Sequence, residues 1–77
     1  METYTVNVLN EHFISEDEIQ AKDEPAALNA ALRSALAIAT EQVAAGKPFF
    51  GAVVTLSREE ETLSKMVVTV GAATLKT

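Results

Sequence analysis

The sequence predicts an α+β fold, a two-layer sandwich with one helix packed on a mainly antiparallel four-stranded sheet in the order β-β-α-β-β. Three observations carry this. The stretch from Asp23 to Gly46 holds an acidic cap, an early proline, alanines and leucines at helical spacing and a closing glycine, which together specify one amphipathic helix. Two strand-like segments precede it, the first with clean period-two alternation. Two apolar, β-branched runs follow it. With 77 residues, one domain spanning 1–77 is expected. A domain this small buries only roughly 60% of the surface its unfolded chain exposes, so self-association is the expected supplement to its core.

From Thr3 to Leu9, Tyr4, Val6 and Val8 alternate with Thr3, Thr5 and Asn7, the pattern of a half-buried strand. Asn10 and Glu11 can turn the chain. His12 to Ala21 reads as a second, irregular strand, because Phe13 and Ile14 are adjacent and Glu16, Asp17 and Glu18 bring three charges together. Such an acidic strand suits a sheet edge, where charge discourages pairing with another molecule.

Asp23 is the natural helix cap, and Glu24 and Pro25 suit a first turn, where proline has no amide hydrogen to lose and acids favour the positive end of the helix dipole. Leu28, Leu32, Ala35, Leu36, Ala39 and Val43 are expected on one buried stripe, with Ile38 on its flank and Arg33, Thr40 and Glu41 off it. As a core truncation on that stripe, Leu32→Ala is expected to cost about 2 to 5 kcal/mol. The many alanines raise helix propensity and allow close approach to a sheet. Gly46 can take the left-handed conformation that ends a helix, and Pro48 prevents its continuation.

Phe49 to Leu56 places Phe50, Ala52, Val54 and Leu56 on one face, and Ser64 to Val70 places Met66, Val68 and Val70 on one face. Both apolar rows face the helix only if even-numbered residues pair with even-numbered ones. The polar segment Ser57 to Thr62 joins them as a hairpin, and an odd-numbered loop, of five or seven residues, is therefore expected. After Gly71 the tail, residues 72–77, prolongs the strand or frays.

One helix cannot cover both faces of the sheet. The far face would carry Thr5, Phe49, Val53, Thr55, Lys65, Val67 and Thr69, a mixture too apolar for a plain solvated surface. Packing sheet on sheet or edge on edge in a homodimer is the economical remedy, weighed against a monomer with scattered exposed valines. Phe49, Val53 and Val67 are the candidate interface residues.

Composition narrows the function classes. There is no cysteine, which removes disulfides, thiolate chemistry and cysteine zinc sites and fits a reducing cytoplasm. Six Lys and Arg stand against eleven Asp and Glu, for a formal charge of -5. The cations are scattered along the chain, so a phosphate-tracking surface is not expected and nucleic acid is set aside as a partner. The N-terminus carries an acid where a secretory signal would carry a basic patch, and the apolar runs stop short of the roughly 20 residues of a spanning helix. The expectation is a cytoplasmic chain with no membrane partner.

Chemistry-bearing clusters are sparse. His12, beside Glu11 and near Ser15, has the residue types of a base with a nucleophile, but no second histidine and no glycine elbow accompanies it. A turn residue is the favoured reading, and no catalytic residue is assigned. Glu16, Asp17 and Glu18, with Asp23 and Glu24 nearby, lack the alternating acids and central glycine of a calcium loop, so no metal site is assigned. Gly46, Gly51 and Gly71 are too far apart to cradle a phosphate, and no cofactor is expected. Gly51, inside a strand, marks a bulge or leaves room for a ring such as Phe49 or Tyr4. Tyr4, Phe13, Phe49 and Phe50 read as core aromatics rather than a base-stacking platform.

The run Asp23-Glu24-Pro25-Ala26-Ala27 leading into Ala30-Ala31-Leu32-Arg33-Ser34-Ala35, with Glu18-Ile19-Gln20-Ala21 before it and Ala52-Val53-Val54-Thr55-Leu56 and Val67-Val68-Thr69-Val70 after it, resembles a family of short bacterial domains of unknown function. Those domains usually close their last hairpin with a tight Asp/Glu-Gly turn, where this chain has Ser57 to Thr62. The helix opening also resembles the antitoxin domain of bacterial toxin-antitoxin pairs, without that family's three leading strands. A third similarity is to dodecin, a small flavin-binding oligomer. Dodecin stacks its flavin on tryptophan, which this chain lacks, so flavin binding does not carry over.

The function these observations imply is a non-catalytic protein-interaction or accessory regulatory domain, homodimeric and able to take another protein as partner. The alternative is a small-ligand-binding oligomer with its pocket at the subunit junction, walled by Phe49, Val53 and Val67.

Overall fold

The computed structural model describes residues 1–75. Five elements follow one another: β1 (Glu2–Leu9), β2 (Ile14–Ala21), α1 (Glu24–Ala44), β3 (Phe49–Arg58) and β4 (Glu61–Gly71). They form the α+β two-layer sandwich, with α1 against a single sheet in the order β2-β1-β3-β4 and every neighbouring pair antiparallel. β1 and β3 are therefore central, while the acidic β2 and the long β4 are edges. Residues 72–75 carry no regular structure, and the remaining tail residues, Lys76 and Thr77, lie outside the described residues.

β2 begins two residues later than the sequence suggests. The Asn10 N–H donates to the Phe13 carbonyl (3.0 Å) and the His12 N–H to Asn10 Oδ1 (2.7 Å), so Asn10 to Phe13 are consumed in the turn. Phe13 instead tucks its ring toward Phe50, with centroids 6.5 Å apart.

The helix is capped at both ends by local chemistry. Asp23 Oδ1 accepts from the Ala26 N–H at 2.9 Å, with Pro25 in the first turn. At the other end the Gly46 N–H reaches the Val43 carbonyl (3.1 Å) and the Lys47 N–H the Gln42 carbonyl (3.2 Å). This is a Schellman cap, which requires the left-handed φ of 101° that Gly46 supplies without steric cost.

The buried seam of α1 is an alanine row, Ala27, Ala31, Ala35 and Ala39, each fully excluded from solvent. Four-residue steps drift by only about 40° around a helix, so these methyls stay over the sheet for three turns and let the backbones approach closely. Leu28, Leu32 and Leu36 drift alongside, one residue further round. The first two remain half-buried, whereas Leu36 emerges at 40% exposure, which removes it from the expected stripe. Ile38 and Val43 are half-buried flanks. From the sheet side, Tyr4, Val6, Val8, Ala21, Phe50, Ala52, Val54, Leu56 and Val68 complete the core.

The β3–β4 hairpin keeps the required parity by another route than an odd loop. Phe50 pairs with Val70, Ala52 with Val68 and Val54 with Met66, so even faces even. The connection itself is only Glu59-Glu60, both at positive φ (52° and 68°), the geometry of a type I′ turn. Such a turn alone would pair even with odd residues. A register shift at Leu56/Ser57 corrects this by leaving Leu63 as one extra residue on β4. Because glutamate tolerates the left-handed region poorly, Glu59→Asn with Glu60→Gly should raise stability by about 1 kcal/mol, read from the urea midpoint. No gain would mean that the turn is not left-handed at both positions.

Arg58, next to this turn, ties the hairpin to β1. Its Nη1 lies 3.0 Å from Glu2 Oε1 and its guanidinium 5.6 Å from the centroid of the buried Tyr4 ring. The Glu2 carboxylate holds the Arg58 guanidinium above its usual pKa.

Candidate interaction surface

Strand alternation decides what the helix leaves bare. The odd-numbered residues of β1 and β3, and the residues paired with them on β2 and β4, face away from α1. Val53, Val67 and Phe49 all lie on this outer face and are exposed, Val67 at 73% and Phe49 at 65%. Thr5, Thr55, Lys65 and Thr69 share it.

The pairings add two residues that sequence reading did not place there. Ile14 pairs with Leu9, Leu9 with Val53, and Val53 with Val67. One apolar row thus crosses the whole sheet, one residue from each strand, and all four are exposed. Cross-strand partners sit about 5 Å apart, so the row is continuous over roughly 14 Å. The signal was present in the alternation of Leu9 with Asn7 and Thr5, and of Ile14 with Glu16 and Glu18. It was masked on β2 by the adjacent Phe13 and the acidic run.

Phe49 extends the apolar area beyond the row. Its ring lies over Gly51, where a Cβ would stand 3.0 Å from Phe49 Cε1, so the absent side chain makes room for the ring. The register through Gly51 is regular, which leaves ring accommodation and not a bulge as its role. Beside it an open hollow of about 480 Å³ is lined by Leu9, Asn10, Glu11, Gly51, Ala52, Val53 and Val67.

One step along the strands the face turns polar. The next row runs Glu16, Asn7, Thr55, Lys65, again one residue per strand, and Glu18 pairs with Thr5 beyond it. Alternation sends Glu16 and Glu18 outward and Asp17 to the helix side, so the three acids do not converge. Among the described residues, no group of three or more His, Asp or Glu side chains is placed to hold a metal ion.

His12 is exposed in the β1–β2 turn with Nε2 3.1 Å from Glu11 Oε1. Ser15 belongs to β2, paired with Val8 on the helix side of the sheet. Among the described residues, no hydrogen bond joins the histidine to that hydroxyl. Among the described residues, no helix is long and apolar enough to cross a membrane. Searches against protein-family models, curated proteins and solved structures return no match, so the similarities drawn above rest on residue pattern.

Proposed function

We propose that this chain is a non-catalytic interaction or accessory regulatory domain, homodimeric and cytoplasmic, whose working surface is the outer face of the sheet. The observation that carries this reading is the unbroken row Ile14–Leu9–Val53–Val67 on a face that α1 leaves bare. A contiguous exposed apolar strip, bordered by polar residues, is the physical mark of an interaction site in a small domain with a limited core of its own. The contact of His12 with Glu11 in an exposed turn and the placement of Glu16 and Glu18 on the opposite face from Asp17 support the non-catalytic part.

Val67→Asp and Val53→Asp should each lower the apparent mass in sedimentation velocity from that of two chains to that of one, by placing a carboxylate in the centre of the contact. A mass unaffected by both substitutions, or a wild type that already sediments as a single chain, would overturn the dimer. The second reading, a small-ligand-binding oligomer, is favoured by the hollow beside Gly51 and Phe49. It requires a rise in melting temperature with some member of a metabolite screen, lost in the Val67→Asp variant.

A further inference from the structure

We propose that two copies of this chain pack outer face to outer face about a two-fold axis parallel to the strands and midway between β1 and β3, so that Glu16 of each copy meets Lys65 of the other. This rests on the reading of the outer face as a homodimer surface and specifies its geometry. Face-to-face packing of two identical sheets leaves two simple ways to lay the axis, along the strands or across them, and the residue pattern discriminates between them.

An axis along the strands carries each strand over its mirror position in the order β2-β1-β3-β4, so β2 covers β4 and β1 covers β3. Ile14 then lies over Val67 of the second copy and Leu9 over Val53, and the apolar row is closed by its own reverse. In the adjacent row, Asn7 falls over Thr55 and Glu16 over Lys65. An axis along the apolar row would also bury that row. It would, however, set each strand on itself and place Lys65 opposite Thr69, with Glu16 facing no cation.

Charge makes the first arrangement the complementary one. Lys65 is the one cation in the row of Glu16 and stands at the opposite sheet edge from it, whereas Arg58, which lines a hollow with Thr5 and Glu18 farther along the strands, is paired with Glu2. Three strand spacings, roughly 14 Å, keep Lys65 from pairing with Glu16 in its own copy. Among the described residues, the ion pairs are Arg58–Glu2 and His12–Glu11, and neither involves this row. Two sheets about 10 Å apart are spanned by a lysine and a glutamate reaching toward each other. The contact would occur twice by symmetry and would offset part of the repulsion between two chains of charge -5.

The test is a charge exchange followed by sedimentation equilibrium. Glu16→Lys and Lys65→Glu should each weaken dimerisation by about three- to tenfold, because each sets like charges together at both symmetric contacts. The double variant Glu16→Lys with Lys65→Glu should return to within about twofold of wild type, with far-ultraviolet circular dichroism showing that all four proteins are folded. If Val67→Asp dissociates the dimer but the double variant is no tighter than the weaker single one, the axis is overturned and the outer-face interface survives. If Val67→Asp leaves the dimer intact, both are overturned together.

Discussion

Leu56→Ala should lower the free energy of unfolding by about 2 to 5 kcal/mol in urea titrations. Leu56 has no exposed surface. It lies on the central strand β3 between Val6 of β1 and Ser64 of β4 and projects toward the helix side of the sheet. Its neighbours belong to three strands, so the cavity cannot collapse without disturbing the pairing. A domain of this size holds on the order of 5 kcal/mol in total. The alanine variant therefore stands close to unfolding, and Leu56→Val, expected to cost about 1 kcal/mol, gives a folded comparison. A loss below about 0.5 kcal/mol for the alanine variant would place Leu56 outside the core. Leu32→Ala, by contrast, should cost only about 1 to 2 kcal/mol, because Leu32 is half-buried and the helix meets the sheet through alanines.

Ala35→Leu should destabilise the protein by about 1 to 3 kcal/mol although it adds apolar volume. The seam of Ala27, Ala31, Ala35 and Ala39 sets the distance between helix and sheet, and a leucine in it must push the two layers apart or leave its preferred rotamer. Its neighbour gives the control. Leu36→Ala should cost under about 1 kcal/mol, because Leu36 is 40% exposed. Ranking by hydrophobicity alone puts these two variants in the reverse order, so thermal or urea unfolding of the pair tests the seam directly. A tolerated Ala35→Leu would mean that the layers are loosely packed.

The parts of this fold legible in the sequence are those written in local chemistry. Asp23, Pro25 and Gly46 mark the helix ends because each acts on the backbone within a few residues of itself. Even-to-even pairing of β3 with β4 follows from the alternation of Phe50, Ala52, Val54 and Leu56 with Val68 and Val70. The outer placement of Phe49, Val53 and Val67 follows from the same period. The strand order depends on contacts far apart in the chain, and no single residue announces that β1 sits between β2 and β3. Leu36 was misplaced because leucine marks a buried face in most helices, and a seam of alanine inverts that weighting. The Glu59-Glu60 turn was hidden because neither residue favours the left-handed region.

The extra residue at Leu63 has an implication for how this chain can change length. Removal of that residue alone would set the Leu56–Ser64 pair directly after Ser57–Thr62 and leave Val54 opposite Met66 and Ala52 opposite Val68, so the apolar row would still face the helix and only the bulge would go. One residue added between Glu59 and Glu60 would be held in the turn as a three-residue connection closed by the same Arg58–Glu61 pair. Descendants of this sequence are thus free to lose the bulged residue or lengthen the turn without sending either apolar row to water. Homologues should accordingly differ in this hairpin by single codons at Leu63 or within the turn, with a smooth β4 where the bulged residue is missing.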